Sequence, residues 1–113
     1  MNQKSKPVNI VFFASGSGSN FKSIHHNIKI GKINAEIKLL VSNNPKADVL
    51  AYANAEEIPI FIHNKTRFSS KIEFIDSLFN QLKKANADLL VLAGFMKNGL
   101  NFFRSIVHIP KLE

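Results

Sequence analysis

No cysteine occurs among the 113 residues, which excludes a disulfide scaffold, a thiolate zinc site, an iron–sulfur cluster and a cysteine nucleophile together. Long apolar runs are missing as well. The longest, such as Val8 to Ala14 and Leu89 to Ala93, fall far short of the ~20 residues that a membrane-spanning helix needs. The basic start, Met1 to Pro7, leads into a short apolar run and a Gly/Ser turn without a small-residue cleavage site, a pattern unlike a signal peptide. Internal repeats, low-complexity tracts and Pro/Gly-rich linkers are absent too, so nothing divides the chain. Acidic residues are scarce: Asp+Glu 8 against Lys+Arg 15 leaves a net charge of +7, which suggests an anionic partner such as phosphate, nucleotide or nucleic acid. With 45% hydrophobic and 20% charged residues, the expectation is one soluble globular domain over residues 1–113.

What is present alternates. Asn9 to Ala14 is a short, unalternating apolar run, as expected of a strand buried on both faces. Ser15-Gly-Ser-Gly-Ser-Asn20 follows, with Ser19 or Asn20 placed to cap a helix whose apolar positions are Phe21, Ile24 and Ile28 and which Gly31 stops. Ala35 to Ser42 reads as a second strand, closed by the turn formers Ser42 to Pro45, and about Ala47 to Glu56 as a short helix. Ile58 to Ile62 reads as a third strand that Pro59 confines to a sheet edge or a strand start. Phe68 to Ala85 reads as a helix with Ile72, Ile75, Leu78, Phe79 and Leu82 on one face, and Asp88 to Ala93 as a fourth strand ended by Gly94. The order β-α-β-α-β-α-β predicts an α/β, three-layer Rossmann-like fold, a parallel sheet of about four strands in order 3-2-1-4 with helices on both faces. Its ligand crevice lies beyond the carboxyl ends of strands 1 and 4, where Gly16-Ser17-Gly18 and Gly94-Phe95-Met96 stand.

The Ser15 to Asn20 loop combines glycines, which let backbone N–H groups turn inward, with the positive end of a helix, so it suits a phosphate. Phe21 occupies the place of the third glycine of a dinucleotide fingerprint and no Walker lysine follows; a turn that merely requires small residues is the alternative. His25, His26, His63 and His108 show no second pair at metal spacing, so no metal site is expected and solvated or packing histidines are the better reading. The lysines are spread without interleaved aromatics, which argues for a solvated face over nucleic acid. Phe12, Phe13, Phe74 and Phe79 are expected in the core.

Three segments, Asn9 to Phe21, Val41 to Asn44 and Ala87 to Lys97, together resemble phosphoribosylglycinamide formyltransferase, a folate-dependent family of purine synthesis, over about residues 8 to 97. The resemblance implies a cytoplasmic enzyme that transfers a formyl group from 10-formyltetrahydrofolate to glycinamide ribonucleotide, without a metal. It implies that Ser17, Gly18, Ser19 and Asn20 hold the substrate phosphate and that Phe95, Met96 and Lys97 line the folate pocket. The family usually has Arg where Lys97 stands and an apolar pair at Asn98 and Gly99. Its Asn-x-His-Pro strand is matched here by Ile106-Val-His-Ile-Pro110, with His108 as the candidate catalyst, Ile106 in place of Asn, and no downstream Asp. The chain therefore reads as the N-terminal, nucleotide-binding part of such an enzyme, truncated or divergent, with little activity alone. Another folate formyltransferase or deformylase of the same fold, or a noncatalytic phosphate- or nucleotide-binding module, are the alternatives. Strand 4 would then be an open apolar edge and a route to homo-oligomers.

Overall fold

The computed structural model describes residues 6–92, and residues 105–108 as backbone. The elements run β1 (Val8–Phe13), α1 (Ser19–Lys29), β2 (Ala35–Ser42), α2 (Asp48–Ala55), β3 (Ile60–Ile62), a 3-10 turn (Lys65–Arg67), α3 (Lys71–Ala85), β4 (Leu89–Leu92) and β5 (Ser105–His108). The first four strands form the expected parallel sheet in order 3-2-1-4, and Pro59 precedes β3, which is the edge strand.

One expectation is corrected at the other edge. β5 pairs antiparallel with β4, Leu89 opposite His108 and Leu92 opposite Ser105, so the sheet has five strands in order β3-β2-β1-β4-β5. The N–H and C=O groups of β4, expected to recruit a second copy, are met by this chain's own backbone, because the β-branched pair Ile106-Val107 supplies a strand.

The alternation of side chains along β1 builds two cores. Ile10 and Phe12 face α1 and α2, where they meet Phe21, Val49 and Ala53. Val11 and Phe13 face the other way, toward Leu78, Leu82 and Ala85 of α3. β2 keeps step only by a bulge: Ile10 pairs with Ile37 but Val11 with Leu39, so Lys38 is left out of register. Ile37 and Leu39, two residues apart, thereby serve opposite cores, and the Lys38 ammonium reaches Glu36 at 3.5 Å.

α3 departs from its expected face. Leu78 and Leu82 pack on the sheet, whereas Ile72, Ile75 and Phe79 are 71%, 45% and 57% exposed. Phe79 is therefore not a core residue. At 100° per residue these three form a stripe beside the sheet-facing one, and both stripes fit a single broad apolar arc in sequence. The helix begins with Ser70, whose Oγ accepts from Glu73 N–H at 3.1 Å, while the Glu73 carboxylate accepts from Ser69 N–H and Oγ–H. Asn86, with φ 55°, ends it in the left-handed region.

Candidate functional site

Beyond the carboxyl end of β1 the chain passes through Ser15 to Gly18 into α1. Gly18, not Ser19 or Asn20, is the cap of α1, at φ 77° and ψ 29°, and no side chain caps the helix. The glycine is required twice over. Its φ is one that L side chains rarely adopt, and a Cβ there would collide with Val49 Cγ2 and lie 2.6 Å from Val49 Cβ. Gly16 differs, since a Cβ on it would meet no atom within 4 Å. The first helical hydrogen bond runs from Lys22 N–H to the Gly18 carbonyl at 2.8 Å, so the amides of Ser19, Asn20 and Phe21 have no acceptor among the described residues. Three N–H groups and the positive end of an eleven-residue helix thus converge on a cavity of about 230 Å³ lined by Ala14 and Gly16 to Phe21. Ser17, Gly18, Ser19 and Asn20, the predicted phosphate residues, are all brought together in it.

Residues to which the sequence assigned no role at the site hold this loop. Asn44 Nδ2–H donates to the Ser15 carbonyl at 3.3 Å, and Val49 N–H donates to the Gly16 carbonyl at 3.1 Å. Asn64 Nδ2–H in turn donates to the Asn43 carbonyl at 3.0 Å, so the loops after β1, β2 and β3 are joined in series across one end of the sheet. The segment Ser42-Asn-Asn-Pro45 read as a turn, and Val41 to Asn44 was part of the family resemblance, but neither signal assigned Asn44 to holding the loop.

A second cavity, of about 570 Å³, lies beside Phe13 and is lined by Asn43, His63, Asn64, Lys65, Lys71, Phe74 and Leu78. His63 is a packing histidine. It is 7% exposed, its ring lies 3.8 Å from that of Phe74 in a parallel stack, and Nε2–H donates to the Phe74 carbonyl at 2.7 Å. It clasps the 3-10 turn to the start of α3 and so places Lys65 and Lys71 on one rim. His25 also has a structural partner, the Tyr52 hydroxyl at 2.9 Å, and burial against α2 lowers its pKa.

Phe95, Met96 and Lys97 lie outside the described residues. His108 ends β5 opposite Leu89, and Leu89 pairs with Ile10. That register is three residues, roughly 10 Å, from the Phe13–Leu92 level at which the loop begins. Among the described residues no group of three or more His, Asp or Glu side chains is placed to hold a metal, and no helix is long and apolar enough to cross a membrane.

A family model for formyl transferase matches residues 8–98. The chain belongs to the formyl transferase family. Within it, the phosphoribosylglycinamide formyltransferase of Bacillus subtilis (strain 168) is 36% identical over 85 residues, 75% of this chain and 44% of the relative. The crystal structure of glycinamide ribonucleotide transformylase 1 from Geobacillus kaustophilus matches with a TM-score of 0.75 at 35% identity, covering 81% of this chain and 49% of that one. A formyltetrahydrofolate deformylase from Pseudomonas putida KT2440, at 19% identity and a TM-score of 0.71, shares the fold. The chain spans less than half the length of these formyl transferase relatives.

Proposed function

We propose that this chain is the nucleotide-binding part of a cytoplasmic glycinamide ribonucleotide formyltransferase, residues 1–113 acting as one domain, with the ribonucleotide phosphate held by Ser17, Gly18, Ser19 and Asn20. The observation that carries the reading is the uncapped start of α1, whose free amides lie at a cavity of about 230 Å³ lined by Gly16 to Phe21. The net charge of +7 favours the same ligand. The larger cavity suits the cosubstrate: Phe13, Phe74 and Leu78 offer apolar walls for the rings of 10-formyltetrahydrofolate, and Lys65 and Lys71 meet its carboxylates. Phe95, Met96 and Lys97 would extend that pocket.

In the reaction the glycinamide amine attacks the formyl carbonyl, a tetrahedral oxyanion forms and collapses, and the tetrahydrofolate nitrogen leaves with a proton. The chain's own contribution in this reading is to fix the ribonucleotide by its phosphate, which turns a bimolecular encounter into an oriented one. Oxyanion stabilisation and proton transfer each contribute about 10²-fold or more where a positioned group supplies them. His108 stands in the register opposite Leu89, three residues of strand from the level at which the loop begins, and transfer by this chain alone is expected to be far slower than by a full-length relative.

The test exploits the difference between the two glycines. Gly16→Val sets its Cβ where no atom of the fold lies within 4 Å, so the melting temperature should stay within about 1 °C, while the affinity for glycinamide ribonucleotide in calorimetry falls at least tenfold, about 1.4 kcal/mol. Unchanged affinity in the folded variant rejects the phosphate assignment.

A further inference from the structure

Packing uses His63 only in part. The ring is 7% exposed and held by three phenyl groups, Phe74 stacked at 3.8 Å between centroids, Phe61 at 5.6 Å and Phe68 edge-on at 5.8 Å. Its Nε2 lies 2.7 Å from the Phe74 carbonyl oxygen, and because a carbonyl only accepts, the proton sits on Nε2 and Nδ1 of the neutral ring offers a lone pair. Among the described residues Nδ1 has no hydrogen-bond partner, and no side-chain nitrogen or oxygen among them is both fully buried and unpaired. Nδ1 therefore opens onto space, and the space that His63 lines is the cavity of about 570 Å³.

Two cations stand on the rim of the same cavity, Lys65 and Lys71, and an ammonium only donates. The Asn64 amide is engaged in the wall itself, its Nδ2–H on the Asn43 carbonyl and its Oδ1 on the Thr66 N–H and hydroxyl. A ligand that satisfies the arrangement brings a flat ring to Phe13, Phe74 and Leu78, carboxylates to the lysines and, close to a carboxylate, one N–H to Nδ1. An aroyl-glutamate has that pattern, since its amide nitrogen is bonded to the carbon that bears the α-carboxylate. We propose that His63 is a specificity-determining residue of this cavity, its Nδ1 accepting the amide N–H of the aroyl-glutamate part of the cosubstrate; the inference rests on the cavity's assignment to 10-formyltetrahydrofolate. An ester oxygen in place of that N–H would set lone pair against lone pair where water has been displaced, and a site built to accept a donor rejects the analogue that lacks it.

Calorimetry on the 113-residue chain compares 10-formyltetrahydrofolate with its analogue carrying an ester oxygen in place of the amide N–H. The amide is expected to bind about tenfold more tightly, and the Nδ1 resonance of His63 in long-range proton–nitrogen spectra should shift further with the amide ligand than with the ester. His63→Gln keeps an N–H for the Phe74 carbonyl but has no acceptor at the place of Nδ1, and should erase the preference. His63→Asn sets an amide oxygen near that place and should retain part of it. A residue that only packs would move both affinities together. A chain that binds neither ligand overturns the assignment of the cavity and the inference with it. Binding of both with equal affinity, or an Nδ1 resonance that responds equally to the two, overturns the role of His63 alone, whether or not the variants fold.

Discussion

The two faces of the sheet are packed to different depths. On the face covered by α1 and α2, Phe21, Val49 and Ala53 are fully buried, and the Phe21 ring sits edge-on to Phe12 and Tyr52 at 5.1 and 5.8 Å between centroids. On the other face α3, the longest helix, contributes no fully buried residue. It is held at its ends, by the Ser70 cap, the His63 clasp and the Asn86 turn, more than along its length. The difference follows the chemistry. The Ser15–Gly18 loop rests on the first face, where Val49 of α2 fills the space that a Cβ on Gly18 would need, whereas the second face borders the larger cavity and carries the exposed stripe.

Truncations should expose this contrast most strongly. Phe21→Ala removes a ring from the deep face and should cost about 3–5 kcal/mol, enough to unfold much of a marginally stable domain, while Ile72→Ser on α3 should change the stability of the monomer by less than about 0.5 kcal/mol; denaturant titration of both variants at low concentration compares them. If the two losses are similar, the faces are not packed differently. Next in size is the glycine pair. Gly18→Ala meets both the left-handed backbone and Val49 and should cost about 2 kcal/mol or more, whereas Gly16→Ala should be near neutral; a Gly18→Ala, Val49→Ala double variant should recover part of the loss and leave the backbone share behind. At the head of α3, Ser70→Ala removes the acceptor of Glu73 N–H and should cost about 1 kcal/mol, read by hydrogen exchange as earlier opening of the first turn of α3 with the amides of α1 unaffected.

The smallest effect is one of pH. Burial lowers the pKa of His25 below its ordinary 6.5, so the folded chain binds less proton there than the unfolded chain does. Stability is then fully present above about 6.5 and declines as pH falls through the window beneath it. His25 is partly exposed, so the decline is shallow. His25→Gln, which keeps a polar partner for Tyr52, should flatten it; an equally steep acid limb in the variant would place the titration elsewhere.

How much of this was legible depends on which physical signal a residue carries. β1 and β2 were readable almost to the residue because a strand buried on both faces has no alternation to misread, and the Gly16–Gly18 loop announced a tight turn before a helix. The cap of α1 was placed one or two residues late, since Ser19 and Asn20 are the usual cap residues and the reason for Gly18 is Val49, thirty-one positions away in sequence. Phe79 was expected in the core, and Ile72 and Ile75 on one face with Leu78 and Leu82, because periodicity reports an apolar arc and cannot say which edge of it meets the sheet. The pairing of β5 with β4 and the bonds from Asn44 and Asn64 to neighbouring loops were not readable, being contacts between segments that only the closed sheet brings together.

The wedge of Val49 against Gly18 has a consequence for the thermodynamics of recognition. A loop stitched by Val49 N–H and Asn44 Nδ2–H into one shape before any ligand arrives has already surrendered its conformational freedom to the fold. An anion entering it need not order the backbone that receives it, and that saving appears as tighter binding for the same number of hydrogen bonds. Shortening Val49 to Ala should therefore weaken the affinity for ribonucleotide through a less favourable binding entropy, with the amides proposed to meet the phosphate unaltered.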